Sequence, residues 1–106
     1  MPGTGLYDVH LIVRPEPDLA DLVPLYLERR EADIVALEAA LLSGDYATVH
    51  ILGHSMKGSG GGYGFDGITE IGLRIETAGK ASDPDCARTA IEDLKAYLQN
   101  LEVLYD

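Results

Sequence analysis

Cations are scarce in this chain: eight Lys and Arg stand against eighteen Asp and Glu in 106 residues, a formal charge of −10 at pH 7. Such a surface repels phosphate backbones and anionic membranes, which argues against nucleic acid or a membrane surface as partner. Cysteine is nearly absent. The single Cys86 excludes an internal disulfide and fits a reducing compartment, and with nothing nearby to activate its thiol it reads as an ordinary helix residue. Long apolar runs are missing too. The opening "MPGTGLYDVHLIVRPEP" carries no cationic n-region and nothing long enough for a signal peptide or a membrane span, so a cytoplasmic protein is expected. The chain is too short to hold a nucleotide-binding domain beside a substrate domain, so any chemistry is compact or shared with a partner. With 46% hydrophobic and 25% charged residues, it has the composition of a folded globular protein.

Residues Tyr7 to Val13 alternate, with Tyr7, Val9, Leu11 and Val13 on one side, and Pro15 and Pro17 close the segment. A lone strand has no evident partner, so an arm lying across the core is expected, with strand exchange between two molecules the lesser option. The period turns helical after Asp18, which can cap a start at Leu19. Pro24 is tolerable near a first turn, and Leu27, Ile34, Leu37 and Leu41 form one stripe up to Ser43-Gly44. Asp45 can cap a second helix through Val49, Leu52 and Met56, ending in glycines. A third, from about Asp66, carries Ile68, Ile71, Ile75 and Ala78 in phase. Ser82-Asp83-Pro84 is a restart signal, and the last helix turns Ala87, Ala90, Leu94, Leu98, Leu101 and Leu104 inward. Short links imply antiparallel neighbours. The expectation is an all-α, up-and-down antiparallel four-helix bundle (18–106) with a short extended N-terminal arm (1–17).

Within "HILGHSMKGSGGGYGF", at about 100° per residue, Leu52 and Met56 fall nearly opposite His54, which therefore points to water. His50, Lys57, Gly58 and Gly61 lie within about 60° of His54, so the exposed stripe reads His, His, Lys, Gly, Gly. Solvated faces ordinarily carry Glu, Lys, Gln or Arg, and each interior glycine costs about 0.5–1 kcal/mol against alanine, so the stripe calls for a use. Two histidines at i and i+4 resemble a zinc helix, but no Glu follows His50, only His10 is left among the histidines, and Lys57 would set a cation beside the metal; no metal is expected. The glycines do not make a phosphate loop, because Lys57 precedes Gly58 and a helix precedes both. Ser55 stands about 100° from His54, unsuited to proton transfer along one helix. What remains is an exposed imidazole able to accept a phosphoryl group, a lysine one turn on to offset its charge, and bare backbone over which a partner's active site can close.

The stretch "HSMKGSGGGYG" resembles the signature of histidine-containing phosphotransfer (HPt) domains, H-x-[hydrophobic]-K-G-[small]-[small] followed by glycine. "LVPLYLERREADIVALEAALLSGDY" is similar to the family's first long helix and Gly-Asp turn, and "IGLRIETAGKA" to its next helix with an internal L-E-x-A. Met56 and Ile75 stand where leucine is commoner. The resemblance implies that His54 is phosphorylated, that Lys57 stabilises the phosphate, and that a receiver domain docks through the gap at Gly58. His50 and Gly61, on the same face, are expected at the docking surface. It further implies a monomeric phosphocarrier with no ATP-dependent kinase activity and no cofactor of its own. Phosphoryl groups would be exchanged with response-regulator receiver domains or a hybrid sensor histidine kinase, the receiver supplying Mg²⁺. The alternatives are a non-phosphorylated adaptor that binds receivers through the same face and, third, a metal-binding bundle.

Overall fold

The structure, a computed structural model, describes residues 7–105; Met1 to Leu6 of the expected arm lie outside the described residues. Helices α1 (Val23–Ser43), α2 (Tyr46–Ser59), α3 (Asp66–Ala81) and α4 (Pro84–Asn100) form the up-and-down bundle, each packed on the next, with α4 closing against α1. The caps read from the sequence set most of its boundaries. Gly44 takes φ 70°, a left-handed conformation open to a residue without Cβ, and the Asp45 N–H then reaches the Ala40 carbonyl at 2.8 Å. The Asp45 carboxylate accepts the Thr48 N–H at 3.1 Å to open α2, and Asp83 accepts the Cys86 N–H at 3.1 Å to open α4, with Pro84 in its first turn.

The start of α1 departs from expectation. Asp18 caps no α-helix; Pro17–Leu22 form a 3₁₀ segment, and α1 opens only at Val23. Pro24 is the cause. It has no N–H, and in a continuous α-helix its ring would collide with the carbonyl four residues back, that of Ala20. The Val23 N–H takes the Ala20 carbonyl in a tighter turn instead.

The other end differs as well. Helix α4 stops at Asn100, and Leu101 (φ −79°, ψ 131°) turns the chain into β2 (Leu101–Val103), so Leu101 and Leu104 are not helical core positions. Strand β2 pairs in parallel with β1 (Leu11–Val13), Leu11 facing Leu101 and Val13 facing Val103. The extended segment therefore has a partner in its own chain, which the sequence hid because that partner continues the apolar period of a helix. Tyr7 anchors the segment. Its ring meets Tyr97 edge-on at 5.5 Å, its hydroxyl donates to Glu70 Oε2 at 2.9 Å, and its carbonyl accepts the Asn100 side-chain amide at 2.9 Å. Burial, with the carboxylate second, pushes the Tyr7 hydroxyl up to about 12. Val9 does not share that inward side; it is exposed.

Leu37, Val49, Met56, Phe65, Ile68, Ile71, Ile75 and Leu94 are fully buried at the centre. Leu27 and Leu41, from the expected α1 stripe, are only half-buried. The buried positions of α1 include Tyr26 and Arg30: the Arg30 guanidinium lies 4.4 Å over the Tyr26 ring and donates from Nε to Asp33 at 2.8 Å. Tyr26 in turn stacks on Tyr63 at 4.3 Å and bonds Ser59 Oγ at 2.9 Å, which ties α1 to the end of α2.

Helices α2 and α3 approach closely enough for backbone to meet backbone. A methyl group on Gly53 would run into the Glu76 backbone, with the Glu76 Cα 2.8 Å away; one on Gly72 would stand 2.5 Å from the Lys57 nitrogen. Around Gly58 the same methyl would find nothing within 4 Å. Gly53→Ala and Gly72→Ala should therefore each destabilise by about 1–3 kcal/mol or more, whereas Gly58→Ala should be neutral or stabilise by about 0.5–1 kcal/mol. Urea denaturation midpoints of the three variants check this ordering.

Candidate functional site

Each candidate residue on α2 takes its place from the side of the helix that packs. Val49, Gly53 and Met56 are buried, and the opposite side is left to solvent. His54 is on that side, with 66% of its side chain exposed, as its angular position requires. Lys57, one turn later and rotated toward α3, is 36% exposed. Gly58 is exposed with open space beside it. His50 is half-buried, its backbone against Gly79 of α3. Its ring lies parallel to that of His54, with centroids 6.4 Å apart, a turn away and not in contact.

Gly61 is the one member of the expected stripe that is not on the helix. Helix α2 ends at Ser59, and Gly61–Tyr63 form a 3₁₀ turn. Packing is responsible. Gly60 is buried against α3, where a Cβ would stand 2.7 Å from the Thr69 nitrogen, and Gly64 takes φ 93° to carry the chain into α3.

The residue that organises the site is one to which the sequence reading assigned no role. Glu76 projects from α3 with only 6% of its side chain exposed, and its carboxylate is shared: Oε2 lies 2.7 Å from His54 Nδ1 and Oε1 lies 2.8 Å from Lys57 Nζ. In sequence Glu76 is the glutamate of the L-E-x-A stretch, with no partner evident from its neighbours. The signal that distinguishes it is positional, because Gly72, Glu76 and Gly79 fall at i, i+4 and i+7 and so share one side of α3, the side that meets α2.

The hydrogen bond from Lys57, followed by that from His54, holds the Glu76 carboxyl down at about 2, so it is an anion at neutral pH. An anionic carboxylate has no proton to give. The proton in the 2.7 Å contact therefore belongs to His54 Nδ1, and in the neutral ring the lone pair is then on Nε2. The arrangement thus presents an exposed imidazole held through Nδ1, a partly exposed cation paired with the same carboxylate, and open backbone at Gly58. Beside it on α2, Ile51 is 63% exposed, an apolar residue out of phase with Val49 and Met56 that the sequence reading passed over. Among the described residues no group of three or more His, Cys, Asp or Glu could hold a metal ion, and no helix is long and apolar enough to cross a membrane.

Because its value in the fold is depressed, Glu76 contributes stability that is complete above its ordinary value of 4.5 and is lost as pH falls from there toward about 2. Wild type should be more stable than Glu76→Gln by a constant margin above about pH 5, and the two denaturation midpoints should converge as pH drops below it. A margin that does not change down to pH 2 would contradict the shared carboxylate.

Residues 21–103 match the family model of the Hpt domain. Comparison with curated proteins and with solved structures gave no match. The match takes in all four helices and the whole of the His54, Lys57 and Glu76 constellation, and the chain belongs to the Hpt domain family.

Proposed function

We propose that this protein is a phosphocarrier of a two-component phosphorelay, accepting a phosphoryl group on His54 Nε2 from the aspartyl phosphate of a receiver domain and passing it to another. Membership of the Hpt family supports histidine phosphotransfer in general terms. The observation that carries the specific reading is the hydrogen bond that the buried, anionic Glu76 accepts from His54 Nδ1–H.

The chemistry follows from that bond. The Nε2 lone pair attacks phosphorus in line, the N–P bond forms, and the P–O bond to the aspartate breaks, returning a carboxylate to the receiver. Positive charge that develops on the imidazole is spread toward Glu76 through Nδ1–H, as an orienting carboxylate does for a histidine elsewhere. Lys57 Nζ, which shares the Glu76 carboxylate with His54 and is partly exposed, turns its remaining N–H groups to the phosphoryl oxygens. The receiver supplies Mg²⁺, the larger countercharge. Gly58 lets the receiver's surface come close to the ring, and exposed Ile51 gives the docking face an apolar contact. His50 lies at the rim of that face. No part of the reaction calls on a nucleotide, and ATP alone should leave the protein unmodified.

Incubation with a phosphorylated receiver and Mg²⁺, followed by intact-mass measurement, tests the proposal. Wild type should gain one acid-labile, alkali-stable phosphoryl group. His54→Gln should gain none, and His50→Gln should remain a competent acceptor. Lys57→Ala should slow transfer about tenfold without abolishing it. Glu76→Leu should also cost about tenfold, and Glu76→Gln less, since an amide oxygen still accepts from Nδ1. Gly58→Gln should fold and yet bind the receiver poorly. Phosphorylation that persists in His54→Gln contradicts the mechanism, and a wild type that binds receivers but never gains the group is the adaptor instead.

A further inference from the structure

Helix α2 ends in an unusual way beside Lys57. In a continuing helix the Gly61 N–H would donate to the Lys57 carbonyl four residues back. Here it donates to Thr69 Oγ1 of α3 at 2.8 Å, and that hydroxyl donates onward to the Lys57 carbonyl at 3.1 Å. A side chain of the neighbouring helix is spliced into the backbone ladder at the turn that carries the lysine, and a hydroxyl can fill that place because it is donor and acceptor at once. Gly60 makes room for it, since a Cβ there would stand 2.9 Å from Thr69 Oγ1.

Helix α3 thus holds Lys57 at three points. Thr69 binds its carbonyl, Gly72 lies against its amide nitrogen, and Glu76 pairs with its ammonium at 2.8 Å. Thr69 and Glu76 are seven residues apart, two turns on one side of α3, and bracket the lysine at its two ends. The geometry points to Thr69 as a positioning residue for phosphoryl transfer, one that acts through Lys57 by fixing the backbone from which the ammonium reaches the phosphoryl group.

This rests on the phosphocarrier reading and goes a step past it: the last turn of α2 is set by a residue outside the "HSMKGSGGGYG" stretch. Valine has the shape of threonine without the hydroxyl. In Thr69→Val the Gly61 N–H and the Lys57 carbonyl lose their bridge and are free to bond each other, lengthening α2 and shifting the lysine. His54, one turn earlier and fixed by Glu76, keeps its own hydrogen bond.

The test measures the rate of transfer from a phosphorylated receiver to wild type, Thr69→Val, Thr69→Ser, Lys57→Ala and the Lys57→Ala, Thr69→Val double variant. Thr69→Val should be slower than wild type by about three- to fivefold, the worth of one hydrogen bond, and Thr69→Ser, which keeps the hydroxyl, should transfer at the wild-type rate. In the Lys57→Ala background the valine should change nothing, because the group it positions is gone. If Thr69→Val also lowers the melting temperature, the double variant still decides, since a loss through general destabilisation would slow Lys57→Ala further. Overturning results are Thr69→Val transferring as wild type does, Thr69→Ser failing to rescue, or additive losses in the double variant. A wild type that accepts no phosphoryl group overturns the parent reading, and this assignment falls with it. A competent wild type with an equally competent Thr69→Val overturns the assignment alone.

Discussion

The contact between α2 and α3 is the constraint on which the site depends. With Gly53 on one helix and Gly72 and Gly79 on the other, the two backbones approach until an added Cβ would overlap the facing chain. Ordinary side chains keep helix axes about 8–10 Å apart, and at that spacing a glutamate from α3 would have to extend along the surface to reach an imidazole on α2. Close approach lets Glu76 stay buried and still meet His54 and Lys57 together. Gly53, Gly72 and Gly79, to which the sequence reading gave no role, permit this geometry, and their burial in a tight interface offsets part of the cost of glycine within a helix.

Burying a carboxylate is unfavourable unless its charge is met, and here it is met twice. The consequence for chemistry is directional. Lys57 and His54 keep Glu76 anionic, an anion can only accept, and the histidine proton is therefore on Nδ1. In the proposed mechanism, reaction at Nε2 would follow from this electrostatic arrangement on the inner side of the helix, while the outer side stays exposed. The two demands on His54, fixed orientation and full access, are divided between the α3-facing and solvent-facing sides of one ring.

Much of this was legible in the residues. Asp45, Asp83 and Pro84 placed the starts of α2 and α4, Gly44 placed the end of α1, and the exposure of His54 followed from the angular positions of Leu52 and Met56. Local rules were sufficient wherever a boundary was decided by a cap. They fell short where a distant segment decided. The extension of α4 through Leu104 was overruled by pairing with β1, and Asp18 lost its capping role because Pro24, six residues on, forbade a continuous helix. Glu76, the glutamate of the L-E-x-A stretch, received no role for a related reason. A glutamate in an amphipathic helix reads as a surface charge, and only the flanking glycines on the same side announce that the surface is an interface.

The most direct measurement is long-range ¹H–¹⁵N correlation NMR on protein labelled in its histidine rings, before and after incubation with a phosphorylated receiver and Mg²⁺. Before transfer, the His54 ring should show its proton on Nδ1 and a free lone pair on Nε2. Afterwards, phosphorus coupling should appear on Nε2 of His54 alone, with Nδ1 still protonated and His50 unchanged. A resting ring protonated on Nε2, or a phosphoryl group on Nδ1 or on His50, would contradict the assignment of Glu76 as the group that selects the reacting nitrogen.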